Sequence, residues 1–139
     1  LNNKTTIIGE SDNLLTINHI GSGNAVAINN YNFSVKTGSF DVSTGISTVI
    51  DSYSLLNYDY DTIEYTLNVI NGANIQAQKV LVIQNSNEAY YEEYGIIFNN
   101  SPVVSIGVSV LNSIYEFRLI PENGVSGIVT YKFIRGGIQ

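Results

Sequence analysis

The chain has 139 residues, 44% hydrophobic and 13% charged, with a formal net charge of −6. That apolar share excludes wholesale disorder, and the length accommodates one ordinary domain, or one domain plus a small appendage. Lys4, Lys36, Lys79, Arg118, Lys132 and Arg135 are its only Lys and Arg and are scattered, which excludes a phosphate-tracking nucleic-acid surface, and with no Cys there are no disulfides, thiol nucleophiles or thiolate metal sites.

No apolar run approaches the roughly 20 residues of a membrane-spanning helix, so no membrane insertion is expected. The chain opens on Leu1, and is read as a fragment, a processed product or the ordered end of a longer protein.

From Leu1 to about Gly45 short apolar groups alternate with turn residues: Ile7-Ile8, Leu14 to Ile17, Ala25 to Ile28, Phe33 to Val35 and Phe40 to Val42, at intervals of seven to eleven residues. Strands this short bury too little surface alone, and units of this kind stack on neighbours or wind with copies of themselves. Residues 1–45 are therefore expected to form a fibrous, shaft-like β segment that assembles a homotrimer. The alternative is that these strands complete a sandwich made by the rest of the same chain.

Beyond Ile46 the strands lengthen, to Ser47–Leu55, Thr62–Ile70, Ala73–Gln84, Glu88–Tyr94, Val103–Val110, Ser113–Ile120 and Gly127–Arg135. Turn signals separate them and no helical period appears, so residues 46–139 are expected to be an all-β domain, an antiparallel β-sandwich of jelly-roll or Ig-like type. Ile63 to Val69 alternates apolar and polar residues strictly, the pattern of a strand with one buried face.

A two-residue loop at Asn71-Gly72 would set Leu67 against Gln76 and Val69 against Asn74, with polar groups on the buried face. A three-residue loop, Ile70 to Gly72, is therefore expected, pairing Val69 with Ala73, Leu67 with Ile75 and Tyr65 with Ala77. The same device at Asn85-Ser86-Asn87 pairs Ile83 with Ala89, Leu81 with Tyr91 and Lys79 with Glu93. A turn about Leu111-Asn112 opposes Val108 to Tyr115, Ile106 to Phe117 and Val104 to Leu119, with Ser105 beside Arg118, while Val129, Tyr131 and Phe133 supply a last core face.

No catalytic or metal site, and no cofactor, emerges. His19 is the only histidine, and no nucleophile elbow accompanies it. Glu92 and Glu93 are strand neighbours and point to opposite faces, so they cannot flank one glycosidic bond. Tyr58 to Glu64 carries oxygen ligands without the glycine and ordered spacing of a calcium loop, and Gly21-Ser22-Gly23 lacks the strand and helix of a phosphate cradle.

Tyrosine is the one enriched side chain with binding potential, at ten copies beside no Trp. Tyr65, Tyr91, Tyr115 and Tyr131 fall on expected core faces, leaving Tyr58, Tyr60, Tyr90 and Tyr94 as surface candidates. Such residues suit a sugar or protein ligand, or equally cover the sheet against another subunit.

Several stretches resemble a β-domain found at the C-terminal ends of virion structural proteins of tailed bacteriophages, particularly marine and cyanobacterial ones. They are Ile50 to Ser54, the Glu64 to Gly95 meander ending in Glu93-Tyr94-Gly95, Tyr115 to Pro121, and Tyr131 to Arg135, over about residues 46–139. The chain departs from that family at Asn85-Ser86-Asn87, where an acidic, glycine-bearing turn is usual, and at Ser105 to Val108, where the strand is usually acidic. Residues 1–45 look like the shaft segments that precede such domains in tail fibres.

The resemblance implies a non-enzymatic protein of the virion surface, a fibre tip, appendage or decoration. Its partners would be its own copies, other virion proteins and a host-surface glycan or protein. The competing reading is a carbohydrate-binding module of a secreted protein. A polysaccharide-cleaving enzyme would need two carboxylates on one face of a groove, which the expected register does not supply.

Overall fold

The computed structural model describes residues 24–28, 33–42, 46–56 and 61–138. Among them are nine strands and no helix: β1 (Asn24–Ile28), β2 (Phe33–Asp41), β3 (Thr48–Ser54), β4 (Thr62–Asn71), β5 (Asn74–Gln84), β6 (Ala89–Phe98), β7 (Val104–Leu111), β8 (Ile114–Pro121) and β9 (Ile128–Ile138). They form a six-stranded sheet in the order β1-β2-β9-β4-β5-β6 and a three-stranded sheet in the order β3-β8-β7, antiparallel throughout. This is the antiparallel sandwich that the spacing of turns and strands predicts.

The expected core faces of β4, β8 and β9 are the real ones. Ile63, Tyr65, Leu67 and Val69, then Tyr115, Phe117 and Leu119, then Val129, Tyr131 and Phe133 are all buried between the sheets. The Tyr65 ring stacks on Phe117 of the opposite sheet at 4.1 Å and so joins the layers at the centre, while Tyr53 stacks on its cross-strand partner Tyr115 within the smaller sheet at 4.7 Å. Gly38 lies directly opposite Tyr131, whose ring fills the space a side chain there would occupy.

β2 pairs with β9 along its whole length and so lies within the larger sheet. β1 joins the same sheet through β2, and the rest of the shaft expectation, residues 1–23, 29–32 and 43–45 with His19 and Gly21-Ser22-Gly23 among them, lies outside the described residues.

All three expected hairpin registers are corrected. β4 and β5 meet through a two-residue loop, Gly72-Ala73, that pairs Asn71 with Asn74, Ile70 with Ile75, Val69 with Gln76 and Leu67 with Gln78. Gly72, at the first loop position, has φ +58°, the positive value that a II′ turn requires there. The outcome is inverted faces on β5: Gln76, Gln78, Val80, Val82 and Gln84 point inward, while Ile75, Leu81 and Ile83 face water at 45, 40 and 53% exposure.

β5 and β6 are offset by one residue from expectation, pairing Gln84 with Ala89, Ile83 with Tyr90, Leu81 with Glu92 and Lys79 with Tyr94. The four-residue loop between them is closed by Asn85 N–H donating to Glu88 O at 2.9 Å, and the Asn85 side chain accepts from the N–H groups of Asn87 and Glu88. β7 and β8 turn at Asn112-Ser113, both at positive φ, which shifts the pairing by two residues and preserves the faces. Val108 opposes Phe117 and Ile106 opposes Leu119, while Ser105 faces Ile120 and Arg118 instead reaches Ser109 and Glu116.

Two polar assemblies pass through the core. A bulge in β3 between Val49 and Asp51 breaks the alternation, so that consecutive Ile50 and Asp51 are both buried. Asp51 Oδ2 accepts from Arg135 Nη1 at 2.7 Å and from Tyr65 Oη at 2.8 Å, and Tyr65 Oη lies 3.1 Å from Tyr115 Oη. Four strands from both sheets meet there. The second assembly starts at Gln76, whose Oε1 accepts from Val103 N at 2.6 Å and Val104 N at 3.0 Å, while Nε2 donates to Val104 O at 2.8 Å and to Gln78 Oε1 at 2.6 Å. Gln78 Nε2 then donates to Glu93 Oε2 at 2.7 Å. This chain of amides fastens the entry of β7 to the inner face of β5.

Candidate functional site

The inverted face of β5 makes the outer surface of the large sheet unusually apolar. Reading across β4, β5 and β6, the outward rows are Thr62, Ile83 and Tyr90; then Glu64, Leu81 and Glu92; then Thr66, Lys79 and Tyr94. A shallow depression of about 260 Å³ lies among Leu81, Ile83, Tyr90, Tyr91 and Glu92. A second, of about 250 Å³, lies at the opposite end of the same strands among Ile75, Ala77, Ile97, Phe98 and Asn99.

Of the four tyrosine candidates, Tyr90 and Tyr94 belong to this outer face, at 58 and 37% exposure, whereas Tyr58 and Tyr60 lie outside the described residues. Tyr65, Tyr115 and Tyr131 are buried as expected, and Tyr91 is not. Tyr91 does point inward, opposite Val82, with its Oη donating to Ile106 O at 2.9 Å. It remains 42% exposed because β6 is the edge strand, where cover by the smaller sheet runs out.

Carboxylates hold the two outer tyrosines. Tyr90 Oη donates to Glu88 Oε2 at 2.7 Å and Tyr94 Oη to Glu64 Oε2 at 2.7 Å, while Lys79 Nζ donates to Glu64 Oε1 at 2.8 Å. The hydrogen bonds from Lys79 and then Tyr94 hold the Glu64 carboxyl below its usual range. Each phenol is pushed above 10.0, first by its hydrogen bond to the carboxylate. Lys79 thus belongs to Glu64 and not to Glu93.

Tyr65 is pushed well above 10.0 as well, chiefly by burial and next by the Asp51 charge. A group whose folded-state value is raised holds its proton more tightly in the fold, so its contribution to stability is complete below the unfolded value and is lost as pH rises. Stability is therefore expected to fall above about pH 10, the phenol reference value. In a tyrosinate absorbance titration Tyr90 and Tyr94 should ionise later than free tyrosine, and Tyr65 only as the fold opens. A single full-amplitude step at the free-tyrosine position, with the sheet signal in circular dichroism intact, would contradict the burial of Tyr65.

The other sequence candidates resolve plainly. Glu92 points outward opposite Leu81 and Glu93 inward opposite Val80, so these neighbours do face opposite ways. The corrected register does, however, bring Glu64 and Glu92 to one face on either side of Leu81, two strand spacings or ~10 Å apart. Sequence reasoning missed that pair, along with Leu81, Ile83 and Lys79 as outer-face residues. The signal that would have found them is Gly72 read as the first residue of a two-residue II′ loop.

Asp61, from the acidic stretch before β4, is engaged through its backbone with Ile138 and Gln84. Among the described residues no group of three or more His, Asp or Glu side chains could hold a metal ion, and no helix is long and apolar enough to cross a membrane.

No family model and no curated protein matches the chain. Among solved structures, the tailspike protein of Acinetobacter phage vB_ApiP_P1 is similar with a TM-score of 0.50 at 12% identity, covering 92% of this chain. The fold is shared with part of a phage tailspike. A tailspike protein, gp49, of Acinetobacter baumannii bacteriophage Fri1, described as a capsular polysaccharide depolymerase, superposes at 0.42 and 8% identity over 76% of this chain. The chain spans 25 and 18% of the lengths of those two proteins.

Proposed function

We propose that the chain is a sandwich domain of a tailed-phage tail appendage, exposed on the virion and adhesive toward the host surface. The observation that carries this reading is the fold likeness to a phage tailspike over 92% of the chain. The family resemblance of the longer strands and the tyrosine-bearing outer face support it. Its partners are its own copies, neighbouring virion proteins and a surface polysaccharide, and weak individual contacts add into useful avidity when several copies engage one surface.

The domain binds rather than cleaves. Glu64, one of the three carboxylates on the outer face, is engaged by Lys79 and Tyr94, and these hydrogen bonds favour its ionised form over a proton-donating one. Release of reducing ends from a bound polysaccharide would overturn this.

The segment ahead of β1 is proposed to assemble the trimer. Light scattering after size exclusion should give three times 15.2 kDa for the full chain, and the monomer mass for a chain beginning at Asn24, which keeps every strand of the sheet. Cutting at residue 46 would be uninformative, because it removes β2 from the sheet and leaves β9 with an open edge. A monomeric full chain sinks the trimer and favours the secreted carbohydrate-binding module.

A further inference from the structure

The outer face of β4, β5 and β6 differs from an ordinary solvated sheet in how its hydrogen-bonding groups are distributed. Its apolar floor, Leu81 and Ile83, is exposed beside Tyr90, a flat aromatic wall of the size that suits a sugar ring. The polar groups around it are mostly acceptors, the Thr62 and Thr66 hydroxyls of β4 being donors beside them. Glu64, Glu88 and Glu92 are carboxylates, and the phenol hydrogens of Tyr90 and Tyr94 are already donated to Glu88 and Glu64, leaving their oxygens to accept. Lys79, the one cation among the described residues on these three strands, is engaged by Glu64.

Three carboxylates against one ammonium make this face electronegative, within a chain of net charge −6. A second copy meeting it face to face would set like charges together around an apolar patch, which disfavours a symmetric self-contact. An anionic ligand, whether uronate, phosphate or sulfate, would be repelled and would find few donors. A ligand with apolar ring faces, many hydroxyl or amine donors and no acid group is complementary in every respect.

We propose that this face, with Tyr90 as the stacking platform and Glu64, Glu88 and Glu92 as acceptors, binds a glycan whose repeat unit carries no acidic group, neutral or amino-substituted. The inference rests on the adhesive reading above and narrows its ligand class. The short, closed Asn85 to Glu88 loop holds the Glu88 carboxylate beside Tyr90, so the platform is set before ligand arrives.

The test uses the full chain on a printed array of purified bacterial surface polysaccharides, sorted into neutral, amino-bearing and acidic repeat units. Binding confined to the first two groups is expected, with a loss of about tenfold in Tyr90→Ala, as removal of one stacked ring implies. Glu92→Lys should weaken those signals and admit acidic polysaccharides. Both positions are exposed, and unchanged melting temperatures would show that the fold is kept. Binding chiefly to acidic polysaccharides, or binding indifferent to both substitutions, would overturn the assignment while leaving the adhesive reading in place. No binding across the array would overturn both.

Discussion

Replacing Arg135 by Met will destabilise the domain by about 3–5 kcal/mol, because it strands the Asp51 carboxylate in the core. Both residues are buried, at 1 and 6% exposure, and joined at 2.7 Å. The guanidinium also lies 5.3 Å from the centre of the Tyr53 ring, so β3 loses a second contact of the cation besides the Asp51 pair. Without it Asp51 keeps a phenol donor from Tyr65, which is poor compensation for an ion out of water. For a chain of this length the loss corresponds to roughly 10–20 °C in melting temperature.

The companion variant decides whether the charge pair or the packing matters. Removing both charges, Asp51→Leu with Arg135→Met, abolishes the desolvation cost together with the attraction and should recover much of the single-mutant loss. If Arg135→Met melts within a few degrees of the parent, the pair is not carrying charge in the core.

The second large effect is expected at Gln76, and it runs against the hydrophobic pattern. Gln76→Leu is close in volume and would gain about 1.5–3 kcal/mol from burial of an apolar side chain. It also leaves Val103 N, Val104 N and Val104 O, all satisfied by the Gln76 amide, without partners in a buried place. At about 1–3 kcal/mol for each stranded backbone group, the loss outweighs the gain and leaves a net destabilisation of about 2–4 kcal/mol. Urea unfolding should show a lowered midpoint, and hydrogen exchange should show the Val103 and Val104 amides losing protection ahead of the β4 and β9 ladder. A variant as stable as the parent would mean that β7 is held by its apolar contacts alone.

These two sites also show where sequence reading stops. Strict alternation places Ile63, Tyr65, Leu67 and Val69 on one side of β4, and apolar runs do the same for β8 and β9, since in each only one face is apolar enough to bury. β5 has no such asymmetry. One of its faces offers Ile75, Ala77, Leu81 and Ile83, the other Val80 and Val82 among three glutamines, and counting greasy residues selects the wrong one. Asp51 was invisible for a related reason: a bulge between Val49 and Asp51 breaks the alternation and puts neighbouring Ile50 and Asp51 both in the core.

The outer-face site inherits that error. Once β5 is inverted, Leu81 and Ile83 join Tyr90 on the surface, and Glu64 moves within reach of Lys79 and Tyr94. Tyr90 and Tyr94 could be named from the chain because tyrosines not needed on a core face are left for the surface. Their carboxylate partners could not.

By itself, then, the order of amino acids determined an all-β chain, the approximate limits of its longer strands and the buried sides of β4, β8 and β9, because those depend on local periodicity and turn residues. The orientation of β5, the inward turn of Asp51 and the acceptor-lined outer face were decided only by tertiary structure. Each depends on a partner far away in the chain: Gln76 with the backbone of Val103 and Val104, Asp51 with Arg135, Glu64 with Tyr94. A buried amide or carboxylate is tolerable only where such a partner waits, and no local pattern records where that is.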